Sequence, residues 1–278
     1  MDSLVSTEWL AGELGAADLR IVDASWFLPD AGRDGRREYE AAHIPGAVFL
    51  DLEAVSDPDS DLPHMLPPAP LFASRVRALG IGDHGRIVVY DNSPLHTAAR
   101  IWWMLRLFGA QKVAILDGGF AKWRAEGRPV ESGCTAPRPG HFTPSFDGAP
   151  VATKSDMLAL GGRAEIVDAR PAARFRGDTA EPRAGLAAGH IPGSRSLPQS
   201  ELFEADGTWK RGDALRNAFD KAGVDLSRPM VTTCGSGVTA AVLLFGAHLL
   251  GKEDVRLYDG SWSEWGADPS TPKATGTA

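Results

Sequence analysis

The chain has 278 residues, of which 43% are hydrophobic and 23% are charged, a composition typical of a globular protein with room for two domains. Its formal net charge of −7 disfavours nucleic acid as a partner, since phosphate backbones need a basic surface. Apolar runs stay short of the roughly 18 residues that a membrane helix needs, so no membrane partner is expected. The N-terminal residues lack the pattern of a signal peptide, which favours a cytoplasmic location.

Cysteine and histidine usage narrows the chemistry further. The chain has two cysteines, Cys134 and Cys234, which are too few for a disulfide framework. One bridge between them would satisfy the count, but free thiols are expected in the cytoplasm. No His/Cys cluster has metal-ligand spacing and the glycines lack a dinucleotide fingerprint, so we expect neither a metal nor another cofactor.

Short apolar runs alternate with longer helical patterns along the chain. Strands are predicted at residues 21–24, 86–90 and 113–116, with a helix from about residue 97 to 108. Strands that alternate with helices imply crossover connections. The pattern therefore predicts an α/β fold in which a mainly parallel sheet carries helices on both faces.

The same pattern occurs twice. Ile-Val-Asp-Ala at 21–24 recurs at 166–169, and the His-Ile-Pro-Gly of 43–46 recurs at 190–193. Leu-Asp-Gly-Gly at 116–119 is matched by Tyr-Asp-Gly-Ser at 258–261, and the offset stays between 142 and 147 residues. A period of this size is a duplicated domain. With the Pro/Gly-rich stretch 132–140 as a linker, the predicted domains are residues 1–135 and 148–278.

A glycine-rich loop carries the candidate nucleophile. Cys234 follows the predicted strand 229–233 and precedes a nearly apolar helix over residues 238–250. Such a loop lies at the carboxyl edge of the sheet, where α/β proteins bind ligands. Gly235 and Gly237 let the backbone curl so that its N–H groups, with the helix N-terminus, favour an anion. We expect that anion to be the Cys234 thiolate, the attacking form of the thiol.

These features together resemble the rhodanese superfamily, and within it the 3-mercaptopyruvate sulfurtransferase family. The motifs are Cys-Gly-Ser-Gly-Val-Thr at 234–239, the tandem domains, the Asp-Gly turns and Gly-His-Ile-Pro-Gly. The resemblance covers essentially the whole chain and implies two tandem rhodanese-like domains. It further implies that a donor passes sulfur to Cys234, and that a thiol such as thioredoxin or a small thiol, or cyanide, removes it.

The resemblance also assigns roles within and opposite this loop. Gly235, Gly237, Val238 and Thr239 would bind the substrate around the thiol. In the first copy Asp91 occupies the position of Cys234, and a carboxylate cannot carry a persulfide. The first domain is therefore expected to be catalytically silent.

The residues after the cysteine indicate the donor. Thiosulfate-using members of the superfamily have basic residues there, whereas Gly235 and Ser236 are neutral, which favours 3-mercaptopyruvate with release of pyruvate. By the resemblance, Arg174 and Arg183 hold the carboxylate and keto oxygen of this donor, as a guanidinium fork can. Arg176 is expected at the surface. Thiosulfate remains the alternative donor.

A proton relay is implied for the leaving enolate. Ser236 lies two residues after the nucleophile, and the family relay extends to a histidine and a carboxylate that match His64 and Glu53. The family has Asp at the last position. The extra methylene of Glu53 can keep a hydrogen bond to the histidine but changes its geometry.

Two functions of other classes compete with this hypothesis. A cysteine phosphatase has a related loop, but it requires a guanidinium six residues after the cysteine, where this chain has Ala240. A non-catalytic rhodanese-like module would favour an acidic or missing residue at position 234. Sulfur loading on Cys234 decides between this module and an enzyme.

Overall fold

Each half of the chain builds one five-stranded sheet. The computed structural model describes residues 1–134 and 136–277. In the first half, strand order is β1-β5-β4-β2-β3 and every pairing is parallel. The strands are β1 (Leu4–Val5), β2 (Leu19–Asp23), β3 (Val48–Phe49), β4 (Arg86–Tyr90) and β5 (Val113–Leu116). The helices are α1 (Thr7–Gly12), α2 (Gly35–Ala41), α3 (Ala69–Ala78), α4 (Ala98–Leu107) and α5 (Gly119–Ala125), with a 3-10 turn at Pro29–Ala31.

The second half repeats this topology with the order β6-β10-β9-β7-β8, again parallel throughout. Its strands are β6 (Val151–Ala152), β7 (Glu165–Asp168), β8 (Arg195–Ser196), β9 (Met230–Thr233) and β10 (Val255–Tyr258). The helices are α6 (Lys154–Ala159), α7 (Ala172–Arg176), α8 (Gly212–Lys221), α9 (Ala240–Leu249) and α10 (Ser261–Trp265), with a 3-10 turn at Gln199–Leu202. The two parallel sheets with their helices confirm the predicted α/β fold class.

The central strand of the second sheet and the helix that follows it are both buried. All four residues of β9 are buried, as are the first eight residues of α9. A helix that is apolar all round gains stability only when every face is removed from water, which explains its position within the core. The loop between β9 and α9 is consequently held at both ends by the core.

Contacts group the chain into two units. The first comprises Met1–Pro58, Leu66–Asp147 and the short segment Glu204–Trp209. The second comprises Asp59–Met65, Gly148–Phe203 and the chain from Lys210 onwards. The predicted domain bounds stay a prediction, and two of them, Thr135 and Ala278, lie outside the described residues. Within the described ranges, no helix has the length and apolar character needed to cross a membrane.

Two buried histidines have the same contacts in both units. His43 stacks on Tyr39 at 4.1 Å between ring centroids, and His190 stacks on Phe175 at 3.8 Å. Each Nδ1 lies within hydrogen-bond distance of the backbone oxygen of its stacking partner, and each residue forms a single β-bridge to a later segment. The repeated His-Ile-Pro-Gly motif is therefore part of the fold in both copies.

Candidate active site

The predicted nucleophile lies at the carboxyl end of the central strand. Cys234 directly follows β9, and its neighbours β7 and β10 run parallel to it, so all three strands end at the same edge. The cysteine is a free thiol and only 2% exposed. Gly237 has φ +76°, a left-handed conformation that glycine adopts without strain. The loop thus turns sharply between a buried strand and a buried helix.

The carbonyl groups of the loop are bound by the first turn of α10. The Trp262 N–H donates to the Cys234 oxygen at 2.9 Å, and the Ser263 N–H donates to the Gly235 oxygen at 2.9 Å. The Ser263 hydroxyl donates to the same Gly235 oxygen at 2.7 Å. These otherwise unpaired N–H groups at a helix N-terminus fix the loop from outside.

Ser261 organises the loop from within, a role that the sequence did not indicate. Its Oγ accepts the N–H groups of Cys234 at 3.2 Å and Gly237 at 3.1 Å, and donates to the Tyr258 oxygen at 2.8 Å. The residue is fully buried and has φ +47°, which is unusual for a residue other than glycine. The available signal was its place in the repeat, where Ser261 stands opposite Gly119.

The predicted ring of N–H donors is therefore only partly available to an anion, because Ser261 binds two of them. In the described part of the chain, the N–H groups of Gly235, Ser236, Val238 and Thr239 have no acceptor. Thr239 is the N-cap of α9, and the helix adds the positive end of its dipole. These groups can stabilise a thiolate or the outer sulfur of a persulfide.

The first unit shows such a loop with an anionic group in place. The Asp91 carboxylate accepts the Ser93 N–H at 2.9 Å and the Ala98 N–H, at the start of α4, at 2.8 Å. Ala98 and Ala240 begin the corresponding helices α4 and α9. An acidic side chain at the cysteine position thus takes its hydrogen bonds from the loop and the helix N-terminus, as the sequence predicts for the thiolate of Cys234.

Asp91 makes the stability of the first unit depend on pH. Burial raises the pKa of its carboxyl to about 7 from an ordinary value of 3.8, against the lowering effect of the Ala98 and Ser93 N–H groups. A folded-state pKa above the unfolded one means that the contribution of Asp91 to stability is fully present below about pH 4 and is lost as pH rises through about 7. Each pKa unit is worth about 1.4 kcal/mol, so the loss reaches up to about 4 kcal/mol.

Replacing Asp91 by Asn is expected to flatten this pH dependence. The amide does not ionise, so the destabilisation that the buried charge produces between pH 5 and pH 8 disappears. Thermal unfolding of the wild type and of Asp91→Asn at pH 5 and pH 8 measures this pH dependence. The contributions of all other titrating groups are common to both proteins and cancel in the comparison. The wild type should lose more stability on going to pH 8. Equal losses in the two proteins would contradict the assignment.

The structure brings two of the relay residues together. His64 Nδ1 lies 2.9 Å from Ser236 Oγ, although the residues are 172 positions apart in sequence. Both side chains are buried, and the segment containing His64 belongs to the second unit. His64 has φ +60°, a strained conformation that persists where surrounding contacts enforce it.

Glu53 lies in the first unit, on its surface. Its carboxylate accepts the indole N–H of Trp26 at 2.9 Å, and its backbone N–H donates to the side chain of Asp51 at 3.0 Å. The role of Glu53 in the relay stays a prediction.

Arg174 lies beside the cysteine loop. A Cβ atom placed on Gly235 would be 3.3 Å from Arg174 Nη2. The same Nη2 donates to the Glu181 carboxylate, while Arg174 Nε is a buried donor without an acceptor among the described residues. Arg183 lies partly buried in the irregular segment after α7. Arg176 pairs with Asp178 at the surface, as expected.

The other cysteine has a different environment. Cys134 is exposed, and its Sγ lies 3.5 Å from the Glu40 carboxylate, which raises the pKa of the thiol. A raised pKa leaves less thiolate and a less reactive group. Elsewhere in residues 1–134 and 136–277, no group of three His, Cys, Asp or Glu side chains is arranged to hold a metal ion.

Comparisons with known proteins agree with this architecture. A family model described as "Rhodanese-like domain" matches residues 6–126 and 153–268. The 3-mercaptopyruvate sulfurtransferase of Rattus norvegicus is 44% identical over 271 residues, covering 95% of this chain and 91% of the rat protein. The thiosulfate sulfurtransferase of Cricetulus griseus is 42% identical over 273 residues, with coverage of 95% and 91%.

A solved structure extends the match to three dimensions. SseA, a 3-mercaptopyruvate sulfotransferase from Escherichia coli, superposes with a TM-score of 0.87 at 41% identity, covering 94% of this chain and 99% of SseA. The predicted tandem rhodanese-like fold and the predicted family resemblance are confirmed. The chain therefore belongs to the family of proteins built from rhodanese-like domains.

Proposed function

We propose that this chain moves sulfur from 3-mercaptopyruvate to an acceptor through a persulfide on Cys234. The sulfurtransferase class predicted from the sequence is confirmed by relatives of that class across nearly the whole chain. The observation that carries the choice of donor is Arg174, whose guanidinium lies beside Gly235 in a loop with no charged residue. A guanidinium next to a neutral loop suits a donor whose one carboxylate it can bind.

The chemistry follows from the groups around the thiol. The Cys234 thiolate attacks the donor sulfur, an S–S bond forms, and the electron pair of the broken C–S bond goes to the pyruvate enolate. The enolate takes up one proton at carbon and leaves as pyruvate. The unpaired N–H groups of the loop stabilise the sulfur anion before and after the attack.

Ser236 and His64 are proposed to supply that proton. The hydroxyl lies two residues after the nucleophile, and the buried imidazole lies at hydrogen-bond distance from it, so a proton can pass along this pair. Glu53 is proposed to support His64, with its longer side chain replacing the aspartate of the family. Arg183 is proposed to bind the donor together with Arg174.

Replacing Ser236 by Ala is expected to lower kcat for pyruvate formation by about 10- to 100-fold, with KM changed little, because the hydroxyl acts on the leaving group. Steady-state kinetics with 3-mercaptopyruvate measures both constants. Ser194→Ala is a matched control, since Ser194 is a buried serine that donates to the Ile191 backbone oxygen at 2.6 Å. A Ser236→Ala enzyme with wild-type kcat would remove Ser236 from the relay.

Thiosulfate is the second candidate donor, because a relative of almost equal identity is named a thiosulfate sulfurtransferase. The ratio of kcat/KM for the two donors decides between them, since it reports the difference in transition-state stabilisation. We expect 3-mercaptopyruvate to be preferred. Equal or better turnover with thiosulfate would overturn the donor assignment while leaving the Cys234 persulfide in place.

The acceptor and the location complete the proposal. A thiol such as thioredoxin or a small thiol, or cyanide, attacks the outer sulfur of the persulfide and regenerates the Cys234 thiolate. The predicted cytoplasmic location belongs to the same proposal. Incubating sulfur-loaded protein with each acceptor, and following loss of the sulfur by mass, identifies which of them unloads Cys234 fastest.

A further inference from the structure

Four charged side chains form a buried network next to the cysteine loop. Asp168 and Arg170, at and just after the end of β7, are essentially inaccessible to water, and Arg170 Nη2 lies 2.6 Å from Asp168 Oδ2. Arg170 Nη1 donates to Glu181 Oε1 at 2.7 Å, and the other oxygen of Glu181 accepts from Arg174. Two carboxylates and two guanidinium groups balance in charge.

Glu181 is the centre of this network. Its side chain is 1% exposed, compared with 20% for Arg174. Burying a carboxylate is strongly unfavourable unless cations and hydrogen bonds compensate for the lost hydration. Both of its oxygens are bound by guanidinium groups, one from a fully buried arginine and one from the arginine that faces the loop. The carboxylate therefore joins a fixed arginine to a more exposed one.

The bond from Glu181 determines where Arg174 lies. Glu181 holds Nη2, and this is the atom that approaches the Gly235 backbone. A free arginine side chain loses rotamer entropy when it binds an anion. An arginine already held in place loses less of it at the moment of binding.

The opposite end of the network supports the cysteine loop itself. The Arg170 guanidinium stacks over the Trp262 ring, 4.5 Å from its centroid. The backbone N–H of Trp262 donates to the Cys234 oxygen at 2.9 Å. Arg170 also donates to the Gly189 oxygen at 2.9 Å. One rigid arginine is thus connected to Arg174 through Glu181 and to Cys234 through Trp262.

We infer that Glu181 is a positioning residue for the sulfur donor: clamped by Arg170, it holds Arg174 Nη2 beside Gly235 in the orientation that binds the donor carboxylate. The identity of the donor rests on the function proposed above. In this role Glu181 does not touch the donor and acts on it through Arg174.

The direction in which KM changes when Glu181 is replaced distinguishes a positioning role from a purely electrostatic effect. Removing Glu181 takes a negative charge away from an anion site, so electrostatics alone would tighten donor binding and lower KM. A positioning role predicts weaker donor binding and a higher KM. We expect Glu181→Ala to raise KM for 3-mercaptopyruvate by about tenfold, with kcat within about threefold of wild type, because the unheld guanidinium must be ordered on binding.

Two further variants keep the experiment decisive. Glu181→Gln preserves shape and one hydrogen-bond acceptor, so it should fold and show an intermediate KM even where Glu181→Ala unfolds. In an Arg174→Ala background, removing Glu181 should cost nothing further, since residues that act through one another are non-additive. Glu165→Ala is the matched control. Glu165, at the start of β7 and away from the cysteine loop, has a buried carboxylate that pairs with Arg228. Its removal should leave KM unchanged.

A second readout needs no sulfur donor. In a Cys134→Ser background, the rates at which iodoacetate and iodoacetamide alkylate Cys234 are compared by mass spectrometry. Arg174 held near the loop should favour the anionic reagent, and Glu181→Gln should reduce that preference. An unchanged or increased preference, a lower KM, or equal effects of Glu181→Ala with and without Arg174 would overturn the inference. Failure of wild type to take sulfur from 3-mercaptopyruvate would instead overturn the proposed function.

Discussion

A Cys234→Ser enzyme is expected to lose sulfur transfer altogether, with kcat/KM falling by at least about 10⁴-fold, the size of loss seen when a covalent nucleophile is removed. Serine fills nearly the same volume in the buried loop, so the fold should survive. Its hydroxyl, however, is not ionised near neutral pH and cannot form an S–S bond with the donor. Pyruvate release from 3-mercaptopyruvate measures the effect.

Cys134→Ser is the control for this loss. Cys134 is exposed and lies beside Glu40, whose carboxylate raises the pKa of the thiol, so its replacement should leave turnover at the wild-type level. Substantial turnover by Cys234→Ser, or its loss in Cys134→Ser, would place the nucleophile elsewhere.

Replacing Arg174 by Ala should have the second largest effect, lowering kcat/KM for 3-mercaptopyruvate by about 100-fold. A hydrogen bond to a charged group contributes about 1.5–3 kcal/mol, and 100-fold corresponds to about 2.7 kcal/mol. The substitution also leaves the buried Glu181 with one cation instead of two, so some loss of thermal stability should accompany it. Arg174→Lys keeps the charge without the planar fork, so its kcat/KM should lie between those of the wild type and Arg174→Ala.

A neighbouring arginine provides the control. Arg176 lies on the same short helix, α7, but pairs with Asp178 in a partly exposed salt bridge, and such pairs contribute little. Arg176→Ala should therefore stay within about twofold of wild type. Comparable losses in Arg174→Ala and Arg176→Ala would show that general positive charge, rather than one placed guanidinium, attracts the donor.

The internal repeat made the fold predictable from the sequence. Matching motifs at a nearly constant offset predicted two copies of one parallel α/β domain, and strand 86–90 was predicted with its observed bounds. The helix predicted over residues 238–250 spans Ala240–Leu249 in the structure. It begins later because the residues before it form tighter i→i+3 turns, in which the Ala241 N–H donates to the Val238 oxygen at 3.2 Å and the Val242 N–H to the Thr239 oxygen at 3.1 Å.

The site was predictable where a residue type alone implies chemistry. Cys234 follows a buried strand and precedes a buried helix, and both properties can be read from apolar runs. The residues that support the loop could not be predicted from apolar runs. Ser261 is contributed by the turn after β10, 27 positions away, and its positive φ has no signature in its residue type.

Glu181 was inconspicuous for a related reason. In sequence it is one acidic residue among several arginines, a pattern usually found on solvated surfaces. Only the structure shows that its carboxylate is buried and forms ion pairs with both Arg170 and Arg174. Burial and pairing depend on tertiary structure, and a single sequence records neither.

The most direct test of the account is the intact mass of the protein after incubation with 3-mercaptopyruvate in the absence of an acceptor. We predict that each chain gains about 32 Da, the mass of one sulfur atom as a persulfide. The gain should map to Cys234, be matched by one pyruvate per chain, and be reversed by a thiol or cyanide. Wild-type protein that gains no sulfur, or that carries it on Cys134, would contradict the account.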